Sequence, residues 1–182
     1  MDVLNILYIV TGVLALIIAL GVFILKDKKS IRLAKLSDDF CWTVNYFCKG
    51  STAQTGVAQN VISVFRDLIF YYRARGSKWA DSAAWCIIFV VFYMSMPIYT
   101  WAGWYSLLPA VGSSISTVGL YLKNTQVTRW LTLPAQFLCL IYALIVENYF
   151  AMFGNLFLFL SAFIGLLLEA RRRRLAVRSA AK

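Results

Sequence analysis

The sequence predicts an all-α membrane protein of seven transmembrane helices, built as two parallel three-helix repeats joined by a linker helix in a three-one-three plan. Three observations predict it. The chain is 61% hydrophobic and only 14% charged over 182 residues, against roughly 45–50% and 25% in soluble domains. Its apolar residues fall in runs long enough to cross hydrocarbon as helices, about 20 residues each. Its cations fall in short segments between those runs, and only seven crossings bring those segments to one face. The runs are continuously apolar and do not alternate, which argues against a membrane barrel.

Span one, about Leu4–Leu25, is unbroken. Nothing basic precedes it, no small-x-small site follows, and it ends in Lys26-Asp27-Lys28-Lys29. It therefore reads as a retained span with a stop-transfer flank and not as a cleaved signal. A loop, Lys26–Lys35, follows. Span two, about Leu36–Cys48 (LSDDFCWTVNYFC), is short and polar. It is admitted on topology, because without it two basic loops would lie on opposite sides. Span three, about Ala53–Tyr72, carries Gln59, Asn60, Ser63, Arg66 and Asp67, then runs into Arg73, Arg75 and Lys78. Polar groups in lipid are costly, so this helix should turn them to other helices or to a water-filled cavity. Span four is about Ala80–Trp101, with Pro97 near its end; Trp101 and Trp104 bracket a turn at the depth aromatics prefer. Span five is about Trp104–Leu122, with Lys123 to Arg129 as its loop. Span six is about Trp130–Val146, and Glu147-Asn148 forms a tight turn into span seven, about Tyr149–Leu168.

This gives a first repeat over 1–78, a linker span over 80–101, a second repeat over 104–169 and a basic tail over 170–182. The basic segments hold Lys26, Lys28, Lys29, Arg32 and Lys35; Arg73, Arg75 and Lys78; Lys123 and Arg129; and Arg171–Arg174, Arg178 and Lys182, whereas the opposite loops hold Lys49 alone. The positive-inside rule then puts the N-terminus outside and the C-terminus in the cytosol. One span between the triplets makes the repeats parallel. Gly21–Lys26 against Gly119–Lys123, and Asn60 against Asn155, are the residue matches. Parallel repeats about an axis along the membrane normal are one transporter plan, with the site near the midplane.

The net charge of +10 is accounted for by these loops, so nucleic acid is not an expected partner. The partners expected are the lipid bilayer, a small polar solute such as a sugar, amino acid or nucleoside, and a second copy of the chain. There is no His, which removes the commonest general base and metal ligand. No nucleophile motif or cofactor motif stands out. The expectation is no enzyme, no metal and no cofactor. Cys41, Cys48, Cys86 and Cys139 form no CxxC pair and read as buried thiols.

Asn60 and Asn155 are the first candidates for a substrate pocket. An amide offers two donors and an acceptor; the alternative is helix–helix glue, at roughly 0.6 kcal/mol per bond. Gln59, Ser63, Asn45, Trp42 and Tyr46 support them, the last two sharing a helix face at a spacing of four. Asp38, Asp39, Arg66 and Asp67 form a second set. At about 1.5 Å per residue, Asp39 and Arg66 lie at similar depth near the cytosolic end, which predicts an ion pair there. It is either a static staple or a gate, with Asp39 or Asp67 as a proton carrier. Gly112, Ser113, Ser114, Ser116 and Thr117 make a small-residue strip suited to close packing, with a pocket wall as the other reading. The Arg171–Arg174 run suits the anionic inner leaflet.

Two stretches of the first half, LALIIALGVFILKDKKSIRLAKLSDDFCW and VISVFRDLIFYYR, together with LLPAVGSSISTVGLYLKN, TRW and the closing RRRR of the second, resemble the YgjV-type family of bacterial inner-membrane proteins. The resemblance implies a multi-pass inner-membrane protein without an established biochemical role. More distantly the plan is similar to PQ-loop and SWEET-like transporters. That resemblance implies a pocket lined by an Asn from the third span of each triplet, matched by Asn60 and Asn155. It also implies a hinge at Leu133-Pro134-Ala135-Gln136, which adds Gln136 to the pocket candidates. Span two has Leu36-Ser37-Asp38 and no proline at the equivalent place. The functional expectation is a SWEET-like carrier of a small polar solute, the alternative a non-transporting sensor or an assembly or interaction subunit.

Overall fold

The computed structural model describes residues 3–22, 28–122 and 124–180, with backbone alone for 21–22, 28–32, 125, 168–170 and 172–180. The expectations placed on Gly21–Lys26, Lys28, Lys29, Arg32, Lys123, Arg172–Arg174, Arg178 and Lys182 lie outside the described residues or side chains. Seven α-helices form among the described residues: α1 (Val3–Val22), α2 (Lys28–Phe47), α3 (Gln54–Ala74), α4 (Ala83–Tyr99), α5 (Leu107–Tyr121), α6 (Thr125–Ile145) and α7 (Tyr149–Ala180). Short 3-10 turns at Gly50–Ala53, Trp79–Asp81 and Trp104–Ser106 join some of them, and the described residues contain no strand.

Several boundaries differ from the expected spans, each for a local reason. Helix α2 starts at Lys28, so most of the expected Lys26–Lys35 loop is helical. Lys and Arg are good helix formers, and hydropathy does not register that. At 20 residues α2 is about 30 Å long, enough for a bilayer core. Helix α6 starts at Thr125, where the Asn124 side chain accepts from the Gln126 amide at 3.0 Å. This N-cap puts Arg129 inside the helix and not in a loop. Helix α4 is shorter than expected: Ser82 caps it, accepting from the Ala84 amide at 3.3 Å, and Thr100 ends it. Helix α7 continues past Leu168 to Ala180. The positive φ of 54° at Glu147 makes the tight α6–α7 turn.

Among the described residues, three stretches are long and apolar enough to cross a membrane: Val3–Leu20, Gln126–Ile145 and Tyr149–Leu167; Ala83–Tyr99 is apolar but shorter. The polar helices carry an apolar outer face as well. On α2 the exposed Leu33, Phe40 and Phe47 recur every seven residues; on α3 the exposed set is Val61, Phe65, Leu68 and Tyr72. Helix α6 exposes Trp130, Phe137 and Leu144, again seven apart. Inside, by contrast, lie Asp38, Asp39, Asn45, Gln59, Arg66, Asp67 and Asn148, all at 3% exposure or less. An apolar outside over a polar inside reverses the soluble pattern and suits a hydrocarbon solvent, where polar groups are satisfied internally.

Each helix packs against the next, except that α4 contacts both α3 and α5, α3 also touches α5, and α7 returns to α1. The span expected to be a linker is therefore a packed member of the bundle. Side-chain bonds define its two ends. At one end, Arg73 of α3 donates to Asp81 (2.6 Å) and to the Tyr121 carbonyl ending α5 (2.8 Å), and Arg129 of α6 donates to the Gly165 carbonyl of α7 (3.1 Å). At the other, Asn148 donates to Asn45 of α2 (2.9 Å) and accepts from the Tyr8 hydroxyl of α1 (3.2 Å), while Thr55 of α3 donates to the Thr100 carbonyl of α4 (2.8 Å). Successive helices thus run in opposite directions; among the described cations Lys35, Arg73 and Arg129 belong to one end, and Lys49, over the Tyr8 ring, to the other.

Several glycines permit close approaches, the Cβ position of Gly12 meeting the Phe150 ring and that of Gly56 the Tyr46 ring. A Cβ on Gly154 would sit 2.6 Å from the Trp42 ring, and one on Gly112 would sit 2.9 Å from both the Ala135 carbonyl and the Cys139 sulfur. The α2–α7 and α5–α6 contacts depend on that space. Gly112→Ala should lower stability by about 1–3 kcal/mol through overpacking, because backbone yields less readily than a side chain. Thermal unfolding in detergent reads this; a variant as stable as the parent would mean that α5 and α6 stand farther apart.

Candidate functional site

Lys35, Asp38 and Asp39 are spaced three and four apart on α2, so their side chains share one face. Lys35 Nζ lies 3.0 Å from Asp38 and 2.6 Å from Asp39. Arg66 of α3 reaches Asp39 at 3.3 Å and its neighbour Asp67 at 2.7 Å, and donates to the Thr117 hydroxyl of α5 at 3.4 Å. The Arg66 guanidinium also stands 6.0 Å from the Tyr93 ring centroid of α4. The expected residues Asp38, Asp39, Arg66 and Asp67 thus meet in one cluster across four helices. Sequence reasoning missed Lys35, which it left in a loop. The signal was present in the spacing of Lys35 to Asp38 and Asp39, read as a helical face.

Beside this cluster lies a cavity of about 100 Å³. Asp39, Lys35 and Arg66 form one wall. Trp42 and Tyr46 of α2 and Gln59, Asn60 and Ser63 of α3 continue it. From across the bundle come Gly112, Ser113 and Ser116 of α5, Gln136, Cys139 and Tyr142 of α6, and Gly154 and Asn155 of α7. Asn60 and Asn155 therefore face one space, together with Gln59, Trp42, Tyr46 and Gln136. Asn45 does not line it: its amide donates to the Tyr8 carbonyl (2.8 Å) and accepts from Asn148 (2.9 Å), so it ties helix ends together. The small-residue strip of α5 divides. Gly112, Ser113 and Ser116 face the cavity, whereas Ser114 and Thr117 donate to carbonyls one turn back in their own helix (2.8 and 2.7 Å).

The amides are held in defined orientations. Gln59 Nε2 donates to the Tyr93 carbonyl (3.1 Å) and Asn60 Nδ2 to the Gly56 carbonyl (2.8 Å). A carbonyl only accepts, so each side chain must present its NH₂ there and turn its oxygen elsewhere. Gln59 Oε1 and Gln136 Oε1 are buried without a hydrogen-bond partner among the described residues. Ser63 and Tyr93 share a hydrogen bond at 2.9 Å, and the Tyr142 hydroxyl accepts from the Gly56 amide at 2.9 Å. The four cysteines are free and half-buried, and no His, Cys, Asp and Glu group among the described residues is arranged to hold a metal.

A family model, Imp-YgjV, described as a bacterial inner membrane protein, matches residues 6–173. A search of curated proteins and one of solved structures found no match.

Breaking a buried pair by removing one partner costs about 3–5 kcal/mol. Arg66→Ala, which takes the guanidinium from Asp39 and Asp67 and leaves Lys35 beside Asp39, should therefore sharply reduce the folded yield. Arg66→Ala combined with Asp39→Asn and Asp67→Asn should recover part of it. Monodisperse yield and thermal unfolding in detergent measure both; an Arg66→Ala protein of parental stability would place the guanidinium in water.

Proposed function

The chain belongs to the Imp-YgjV family of bacterial inner membrane proteins, and from that premise we propose that it is a multi-pass carrier of a small polar solute, with the central cavity as its binding site and no catalytic step. The observation that carries this is the polar cavity itself, lined from α2, α3, α5, α6 and α7 and enclosed by an apolar exterior. Polar groups inside a membrane protein that gather around an unfilled space fit a solute site better than helix glue, which would consume them in pairs. The cavity lies below the roughly 300–1,000 Å³ of drug-sized pockets, so the solute is small.

The packing supports the two-repeat plan. Helix α2 lies between α1 and α3, and α6 between α5 and α7; the triplets meet where α1 touches α7 and α3 touches α5. First helix against third, at both junctions, is what two parallel repeats about a common axis produce. On this reading Asn60 and Asn155 occupy the third helix of each repeat, α4 joins the repeats while packing on both, and Pro134 and Gln136 belong to the second repeat's hinge. The Lys35–Asp39–Arg66–Asp67 cluster closes the cavity on the cytosolic side, at the end where Arg73 and Arg129 also bond.

Two measurements test this. Reporter fusions after Lys49 and Lys182 should report an external and a cytosolic location, respectively; an external Lys182 would overturn the orientation. A thermal-stability screen of the purified protein against sugars, amino acids, amines and nucleosides should give a ligand. At 100 times its Kd, a ligand that binds the folded state adds about 2.7 kcal/mol. The shift should vanish in Asn60→Ala and Asn155→Ala, and the same solute should exchange across proteoliposomes. A folded protein silent across the whole panel would overturn the carrier reading.

A further inference from the structure

The amides that line the cavity are not all satisfied. Gln59 and Asn60 commit their amide nitrogens to the Tyr93 and Gly56 carbonyls, leaving oxygens to face other partners. Gln136 adds a third amide oxygen, buried and without a partner among the described residues, as Gln59 Oε1 is. The cations that line the space are already engaged: Lys35 with Asp38 and Asp39, Arg66 with Asp39 and Asp67. Residues that line the cavity therefore carry unpartnered amide oxygens, while its lining cations already hold carboxylates.

We propose that the solute is a small primary amine, bound as its ammonium ion by the amide oxygens of Gln59, Asn60 and Gln136 under the rings of Trp42, Tyr46 and Tyr142. This deepens the carrier reading and rests on it. An ammonium has three donors and no acceptor, so it satisfies amide oxygens without adding an acceptor that needs a donor of its own. A hydroxyl brings two acceptor lone pairs with its one donor, and a carboxylate brings acceptors alone into a site bordered by Asp39. All three rings line the cavity, and aromatic faces attract cations most strongly where water is excluded.

Four probes that differ in one group test this. Ethanolamine, ethylene glycol and glycolate exchange ammonium for hydroxyl and for carboxylate on one hydroxymethyl frame. Choline keeps the positive charge of ethanolamine and has no N–H. Isothermal titration of the full chain in lipid nanodiscs at pH 7 should show ethanolamine binding most tightly, choline more weakly, and glycol and glycolate not at all. Gln59→Leu should weaken ethanolamine by about 5- to 100-fold, the cost of a lost acceptor facing a buried donor. Gln136→Leu removes another of the acceptors without taking a donor from a carbonyl, so ethanolamine should weaken there too. That variant serves if Gln59→Leu fails to fold.

Glycol or glycolate bound as tightly as ethanolamine, with loss in Gln59→Leu, would overturn the amine and keep the solute site. Choline equal to ethanolamine would overturn the role of the amide oxygens. Silence with all four probes would overturn the amine. The carrier reading would then fall only if the wider screen for Asn60- and Asn155-dependent ligands were silent too.

Discussion

Burial of the charged cluster is the constraint on which the rest of the bundle depends. Helices α2 and α3 carry Lys35, Asp38, Asp39, Arg66 and Asp67, too many charges for either to face lipid alone. They can enter a bilayer only together, with those side chains turned inward and paired. Arg66 bonds to α2 and to its own neighbour Asp67, and extends to Thr117 of α5 and toward the Tyr93 ring of α4. One guanidinium thereby sets the mutual rotation of four helices. Once that rotation is set, Leu33, Phe40 and Phe47 of α2 and Val61, Phe65, Leu68 and Tyr72 of α3 have to point outward.

The opposite end is held by neutral groups. Asn45, Asn148 and Tyr8 join α1, α2 and the α6–α7 turn, and Thr55 and Thr100 join α3 to α4. Below them Trp42, Tyr46, Tyr142, Ala143 and Ala151 form the main apolar core. Charged bonds form a stiff closure, because separating buried ions is costly. Neutral interhelical bonds in membranes are worth only about 0.6 kcal/mol each. If one end of the bundle opens more readily, these energies favour the asparagine end. The cavity lies between the two bonded ends.

Much of this was legible in the sequence because lipid simplifies the code. Long apolar runs identify α1 and α7 with few alternatives, and the matching depth of Asp39 and Arg66 locates their ion pair by counting residues. What was not legible shares one physical cause: hydropathy averages over a helix and loses its faces. Averaging reduced α2 to a short polar stretch, although its seven-residue apolar stripe runs from Leu33 to Phe47. It placed Lys35 and Arg129 in loops, although Lys35 lines the cavity and Arg129 bonds to α7 from within α6. Asn45 was grouped with the pocket by proximity to Trp42 and Tyr46. On a helix, however, Asn45 points about 100° away from its neighbour Tyr46, and its amide turns to Tyr8 and Asn148. No sequence signal reveals that pairing, because it joins residues 103 apart.

The two halves of the cavity wall can be assigned different work on energetic grounds. In the charged half each cation already has carboxylate partners, and a solute that displaced one would leave a buried charge exposed. The amide half is not saturated, and a buried acceptor without a partner has a standing cost of about 1–3 kcal/mol. A ligand that supplies the missing donor recovers that cost without breaking anything, and water supplies it less specifically. On the proposed carrier function, recognition would fall to Gln59, Asn60 and Gln136, and closure to Asp39, Arg66 and Lys35. Because Gln59 and Arg66 lie seven residues apart, they share a face of α3. A shift of α3 that followed occupancy at Gln59 would also move the guanidinium, so binding and closure need no longer route than this one helix.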